Sequence, residues 1–83
     1  MAEKLIGKVT HYFNNLQVAV VKADKGSLAV GETVKFKHGD KEFVQTVDSL
    51  QVDKEPVMKI KKGEEAGLKV AEPVKEGWEV YQV

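Results

Sequence analysis

Residues 18–44 read VAVVKADKGSLAVGETVKFKHGDKEFV, and their pattern indicates the fold class. Near its centre, Val34 and Phe36 alternate with lysines, and this period of two is typical of a half-buried β-strand. Residues 18–21 are apolar at every position, and their β-branched valines favour a strand in the interior of a sheet over a short buried helix. Tight-turn residues separate these runs, so the stretch predicts several short strands joined by turns.

Turn-forming residues also recur along the rest of the chain. Clusters of glycine, proline, asparagine and aspartate recur at a spacing of roughly 8–12 residues, which is typical of a β-sandwich or β-barrel. The run 42–52 is long for one strand, and its apolar positions switch from odd to even numbers near Asp48 and Ser49, so we expect a bend or bulge there. No segment has a convincing helical period. The sequence therefore predicts an all-β fold.

Length and composition limit the classes of function. With 83 residues, the chain is expected to form one domain over residues 1–83. It has no cysteine, which excludes disulfides, thiolate metal ligands and a cysteine nucleophile. No apolar run has the length of a signal peptide or a membrane span, so we expect a cytoplasmic protein without a membrane partner. Thirteen lysines, with no arginine, balance 13 acidic residues, which gives no support for strong nucleic-acid binding but leaves a lysine patch on one face open.

The order of short motifs along residues 5–83 resembles a known family. The motifs are Gly7-Lys8-Val9, residues 18–21, the turn at residues 26–34, Val47-Asp48-Ser49-Leu50-Gln51, residues 62–68 and residues 74–77. Together they are similar to the second domain (domain II) of translational GTPases such as elongation factor Tu and elongation factor G, here standing alone. The resemblance implies a closed or partly open antiparallel Greek-key β-barrel of about six to seven strands. The same type of barrel occurs as an accessory domain elsewhere, including the C-terminal part of certain peptidases.

Some features of the family do not carry over. A GTPase needs a Gly-x-x-x-x-Gly-Lys-Ser/Thr loop, and the single Gly-Lys pair of this chain is followed by Val9, so no GTP binding is expected. Trp78 stands where many family members have aspartate, which changes the surface at that corner. Gly26 and Gly31 are expected at turns that need a positive φ.

A candidate binding surface is predicted from lysines and one aromatic residue. The lysines fall on two predicted hairpins, which would form a basic stripe for RNA phosphates if they were adjacent. The alternative is a solvated face whose lysines protect a sheet edge from aggregation. Trp78 is expected either to stack on a base or to cap the core. The candidate residues are Lys35, Lys37, Lys41, Lys59, Lys61, Lys62 and Trp78.

No constellation of catalytic or metal-binding residues is evident. His11 and His38 lack a set of partners with the spacing of metal ligands, so we interpret them as solvated turn residues. Ser49 lies in no nucleophile-elbow motif, and the acidic residues near the turns are expected on a solvated rim. We therefore expect no enzyme activity, no cofactor and no metal site.

The favoured function is a non-catalytic binding module that engages tRNA, ribosomal RNA or a ribonucleoprotein, and this expectation comes from the resemblance. The alternative is a protein-interaction or accessory domain that docks on a separate enzyme or another translation factor. The neutral, mixed-charge composition suits this alternative better than it suits RNA.

Overall fold

The computed structural model describes residues 3–83, which form ten β-strands and no helix. None of these residues belongs to a helix that could cross a membrane, and the cytoplasmic location stays a prediction. The strands are β1 Lys4–Phe13, β2 Val18–Lys22, β3 Leu28–Ala29, β4 Thr33–His38, β5 Lys41–Thr46, β6 Leu50–Val52, β7 Glu55–Val57, β8 Lys59–Ile60, β9 Glu65–Lys69 and β10 Glu79–Gln82.

Eight strands form one antiparallel sheet in the order β5–β4–β10–β1–β2–β9–β6–β7, and β3 pairs with β8 in a separate two-stranded sheet. The predicted all-β class is confirmed. The closed or partly open Greek-key barrel of about six to seven strands is not confirmed, because within residues 3–83 no ladder joins the two edge strands, β5 and β7. Strand β7 is only three residues long and carries Pro56, which cannot donate a ladder hydrogen bond.

The core is formed by buried side chains from both sheets. Val34 and Phe36 of β4 are fully buried, and Val80 of β10 pairs with Phe36 across the ladder. In β2, Ala19 and Val21 are fully buried, and the strand lies between β1 and β9, which confirms the interior position predicted for this apolar run. The small sheet contributes Leu28 and Ile60, which are opposite each other and buried in the same cluster.

The long run at residues 42–52 is interrupted where its pattern predicted a bend or bulge. Strand β5 ends at Thr46, and β6 begins at Leu50, where it pairs with β7 and β9 rather than with β4. Buried Val47 lies in the connection, and its N–H donates a hydrogen bond to the Glu32 carbonyl oxygen at 2.8 Å. The break is therefore a change of strand rather than a bend within one strand.

The two turn glycines differ in their backbone conformation. Gly31 has a φ of 95°, as predicted, and its amide donates to the Val47 carbonyl oxygen at 2.8 Å. The expectation for Gly26 is wrong, because Gly26 is not among the residues of positive φ. Its constraint is steric, since a Cβ there would lie 3.0 Å from Cγ2 of Ile6.

Candidate functional site

The seam between β5 and the segment after β9 is bridged by one side chain. Nε2 of Gln45 donates to the Lys69 carbonyl oxygen at 2.9 Å, and its Oε1 accepts from the Ala71 amide at 2.8 Å. The side-chain amide of Gln45 thus donates one hydrogen bond and accepts one, as a residue of a neighbouring strand would do with its backbone. We call this bridge the Gln45 latch.

The structure also contains an open groove with a volume of about 1240 Å³. Three segments that are distant in sequence form its walls: residues 11–14 at the end of β1, residues 38–43 at the β4–β5 turn, and residues 72–78 before β10. The pairing of β10 with both β1 and β4 brings these segments together. A smaller depression of about 320 Å³ is lined by Gln45 and by residues near the end of β9.

Aromatic rings form the floor of the groove. The Trp78 ring stacks on His38, with the ring centroids 5.6 Å apart and the planes at 14°. Phe43 tilts against Trp78 at 6.2 Å and stacks on Phe36 at 5.1 Å. Trp78 is only 8% exposed, and its carbonyl oxygen accepts a hydrogen bond from the Val9 amide. Of the two roles predicted for Trp78, the structure favours capping of the core, with the indole also forming part of the floor.

The rim of the groove carries charges of both signs with an acidic excess. Its lining contains two lysines and four carboxylates: Lys41, Lys75, Asp40, Glu42, Glu72 and Glu76. Nδ1 of His11 lies 3.7 Å from a carboxylate oxygen of Glu76, and both side chains are about two-thirds exposed. Within residues 3–83 no group of three or more histidine or acidic side chains is placed to hold a metal ion.

Lys35, the first of the predicted surface lysines, is not available to a ligand. Its side chain is only 11% exposed, and its Nζ lies 2.5 and 2.6 Å from the two carboxylate oxygens of Glu3 and 3.5 Å from Glu42. The ammonium also lies 5.7 Å from the centre of the Tyr81 ring. The hydrogen bond with Glu3 raises the pKa of Lys35, although burial opposes this effect. Lys35 thus forms ion pairs with Glu3 and Glu42 within the fold.

The other predicted lysines do not lie on two adjacent hairpins. Lys37 is on β4, where the cross-strand neighbours are Glu42 on one side and Glu79 on the other. Lys59 is on β8, which pairs with β3 in the small sheet, and Lys61 and Lys62 are exposed beyond it. No ladder joins the two groups within the described chain, and carboxylates flank the lysines of the first group. Lys41 lines the groove.

Sequence reasoning missed Gln45 and the groove itself. Gln45 lies two residues after Phe43 in β5, so both side chains point to the same, more buried face of the strand. A polar residue at such a position needs hydrogen-bond partners, and this could have identified Gln45 from the sequence. The groove had no local signal, because its walls come from three separate parts of the chain.

Two crystal structures of the C-terminal domain of a U32 peptidase family protein from Geobacillus thermoleovorans are similar to this chain. The selenomethionine variant has a TM-score of 0.88 and 17% identity, covering 95% of this chain and 99% of that chain. The other has a TM-score of 0.88 and 16% identity, covering 96% of this chain and 92% of that chain. The chain shares the fold of that domain. No family model and no curated protein matches the chain.

These matches correct the family predicted from the sequence. The structural neighbours are a C-terminal domain of a U32 peptidase family protein, so the resemblance to domain II of translational GTPases is wrong, as is the description as a translation elongation factor-like protein. The motif at residues 26–34 pointed to the wrong family because the fold itself requires its residues. Leu28 and Val34 are buried, and Gly31 has a positive φ. Such positions specify turns and a core rather than a family.

Proposed function

We propose that this chain is a non-catalytic accessory domain that docks on a protein partner, either a separate enzyme or the remainder of a larger protein. The structural match carries this proposal. The fold extends over nearly the whole of this chain and of a domain that is the C-terminal part of a larger protein. A domain of this kind acts through its surface, so the groove is the natural place for contact.

The charges of the surface support a protein partner over RNA. A groove for phosphates needs an excess of lysine or arginine, whereas this groove is lined by twice as many carboxylates as lysines. Lys35 is already bound to Glu3, and acidic neighbours flank Lys37 on both sides. The tRNA or ribosomal RNA partner rested on the family resemblance and loses its support with it.

The lining of the groove supports a non-catalytic role. It contains neither serine nor threonine, and its two histidines contact Glu76 and Trp78 rather than a hydroxyl that they could activate. Acyl transfer needs a nucleophile within hydrogen-bond reach of a base.

Site-specific photo-cross-linking in an extract of the source cells tests the proposal. A photoreactive amino acid replaces Lys75, which is exposed on the groove rim, or Lys54, which is exposed at the β6–β7 turn. We expect a discrete, nuclease-resistant protein adduct from position 75 and none from position 54. The proposal is wrong if neither position gives a protein adduct, or if every adduct disappears after nuclease treatment.

A further inference from the structure

The outer edge of β5 is the longer of the two free edges of the large sheet. It has six residues, includes Phe43 and Val44, and contains no proline. Within residues 3–83 its ladder partner is β4, and the hydrogen bonds that leave its other side come from the Gln45 latch. The opposite edge, β7, is short and carries Pro56, the usual protection against strand addition. Among the edges of the large sheet, residues 41–44 of β5, which precede the Gln45 latch, therefore offer a template to another extended chain.

The groove adjoins the first half of this edge, at Lys41, Glu42 and Phe43. Residues 38–43 form one wall, and residues 72–76 face them across the aromatic floor of Phe43 and Trp78. In an added strand, alternate side chains would point to the floor while the others point outward. An apolar side chain suits the floor because the Phe43 ring, beside Trp78, is only partly buried and still has apolar surface to cover.

The charge of the rim decides the chemistry of the outward side chains. Asp40 and Glu72 are exposed on opposite walls, and no ion pair within residues 3–83 involves either of them. With four carboxylates against two lysines, the rim favours a basic ligand.

We propose that the partner binds through an extended segment of alternating apolar and basic residues that adds to β5 as a further strand. Its backbone pairs with the outer edge of β5, its apolar side chains cover Phe43 and Trp78, and its basic side chains face Asp40 and Glu72. This inference rests on the proposed accessory function and deepens it by naming the site and the chemistry of the partner.

The test is a titration of the ¹⁵N-labelled chain with the peptide acetyl-Lys-Leu-Lys-Val-Lys-Leu-amide. We expect amide shifts confined to residues 40–45 and 72–78, with a shift of the Trp78 indole N–H. A peptide of the same sequence, N-methylated at every second residue, loses the ladder bonds and should bind about tenfold or more weakly. Equal binding of the two peptides, shifts located elsewhere, or no shift at millimolar peptide each overturns the inference.

Charge variants supply a second measurement. Asp40→Asn and Glu72→Gln should each weaken peptide binding about threefold, because each removes one exposed charge pair. Glu55→Gln, exposed on β7, is the matched control and should bind as the unchanged protein does. Concentration-dependent shifts of β5 without peptide would assign the edge to a second copy of the chain and overturn the inference. The photo-cross-linking experiment uses no peptide. A cross-linked protein partner without peptide binding would therefore overturn this inference and leave the proposed accessory function standing.

Discussion

At the scale of single residues, two glycines are required for different physical reasons. A Cβ at Gly7 would lie 1.9 Å from the Lys22 carbonyl oxygen, which is backbone of the neighbouring strand. A Cβ at Gly31 would meet nothing within 4 Å, but residues other than glycine rarely adopt its φ of 95°. Gly7 is thus fixed by packing, and Gly31 by backbone conformation.

We therefore expect Gly7→Ala to destabilise more than Gly31→Val does. The clash at Gly7 must separate β1 from β2 and should cost about 3 kcal/mol or more. Backbone strain at Gly31 should cost about 2 kcal/mol. Urea unfolding followed by tryptophan fluorescence measures both, and Lys41→Ala serves as a surface control that changes stability by less than about 0.5 kcal/mol. Equal unfolding midpoints for Gly31→Val and Lys41→Ala would show that the conformation assigned to Gly31 is wrong.

At the scale of elements, the β6–β7 hairpin carries a strained turn. Asp53 and Lys54 have φ values of 51° and 69°, so both central residues are left-handed, as a type I′ turn requires. Asparagine and glycine are preferred at these positions, and lysine at the second is unusual. The hairpin therefore forms because the flanking strands pair, with Leu50 buried opposite Val57, and not because of its turn sequence.

Lys54→Gly should stabilise the protein by about 0.5–1 kcal/mol, because glycine adopts the left-handed conformation without the steric cost that lysine bears. Lys62→Gly is the matched control, since Lys62 is exposed and has no positive φ. There glycine only adds freedom to the unfolded chain and should lower stability slightly. Thermal unfolding of the two variants decides the matter: a lower midpoint for Lys54→Gly than for the unchanged chain contradicts the prediction.

At the scale of the whole molecule, local pattern predicted the strands but not their arrangement. The alternation around Phe36, the apolar run in β2 and the parity switch before Leu50 each identified a strand or a break, because burial of one face imposes a period of two. Sheet order depends on pairings such as β10 with β1 and β4, which join distant parts of the chain and leave no local trace. The groove forms only when those strands pair, so it could not be predicted from the sequence either.

The burial of Lys35 could not be predicted from the sequence for a related reason. Lys35 has the outward parity of a solvated residue, but Glu3 and Glu42 reach it from segments that its own strand does not predict. Parity gives the side of the sheet on which a side chain lies, whereas a partner from elsewhere decides whether that side chain is free. The predicted basic surface therefore depended on long-range contacts that the sequence did not display.

Lys35, with its partner Glu3 and the neighbouring Tyr81, also makes stability depend on pH in the alkaline range. The hydrogen bond with Glu3 raises the pKa of Lys35 above its ordinary value of 10.5, and desolvation raises the pKa of Tyr81 above 10.0. In both cases the folded chain retains a proton that the unfolded chain releases. The stabilisation is therefore complete below the unfolded pKa values and is lost as the pH rises through the folded ones.

We expect the free energy of unfolding of the unchanged chain to fall as the pH rises beyond about 10, and Lys35→Met to reduce the steepness of this fall. The substitution removes the ammonium that holds the additional proton, while the thioether can fill the same largely buried space. Lys62→Met, at an exposed turn, should leave the steepness unchanged. Urea unfolding at several pH values between about 8 and 11.5 measures the three slopes. Identical slopes for the unchanged chain and Lys35→Met would mean that Lys35 holds no additional proton in the folded state, and that the contact with Glu3 does not persist in solution.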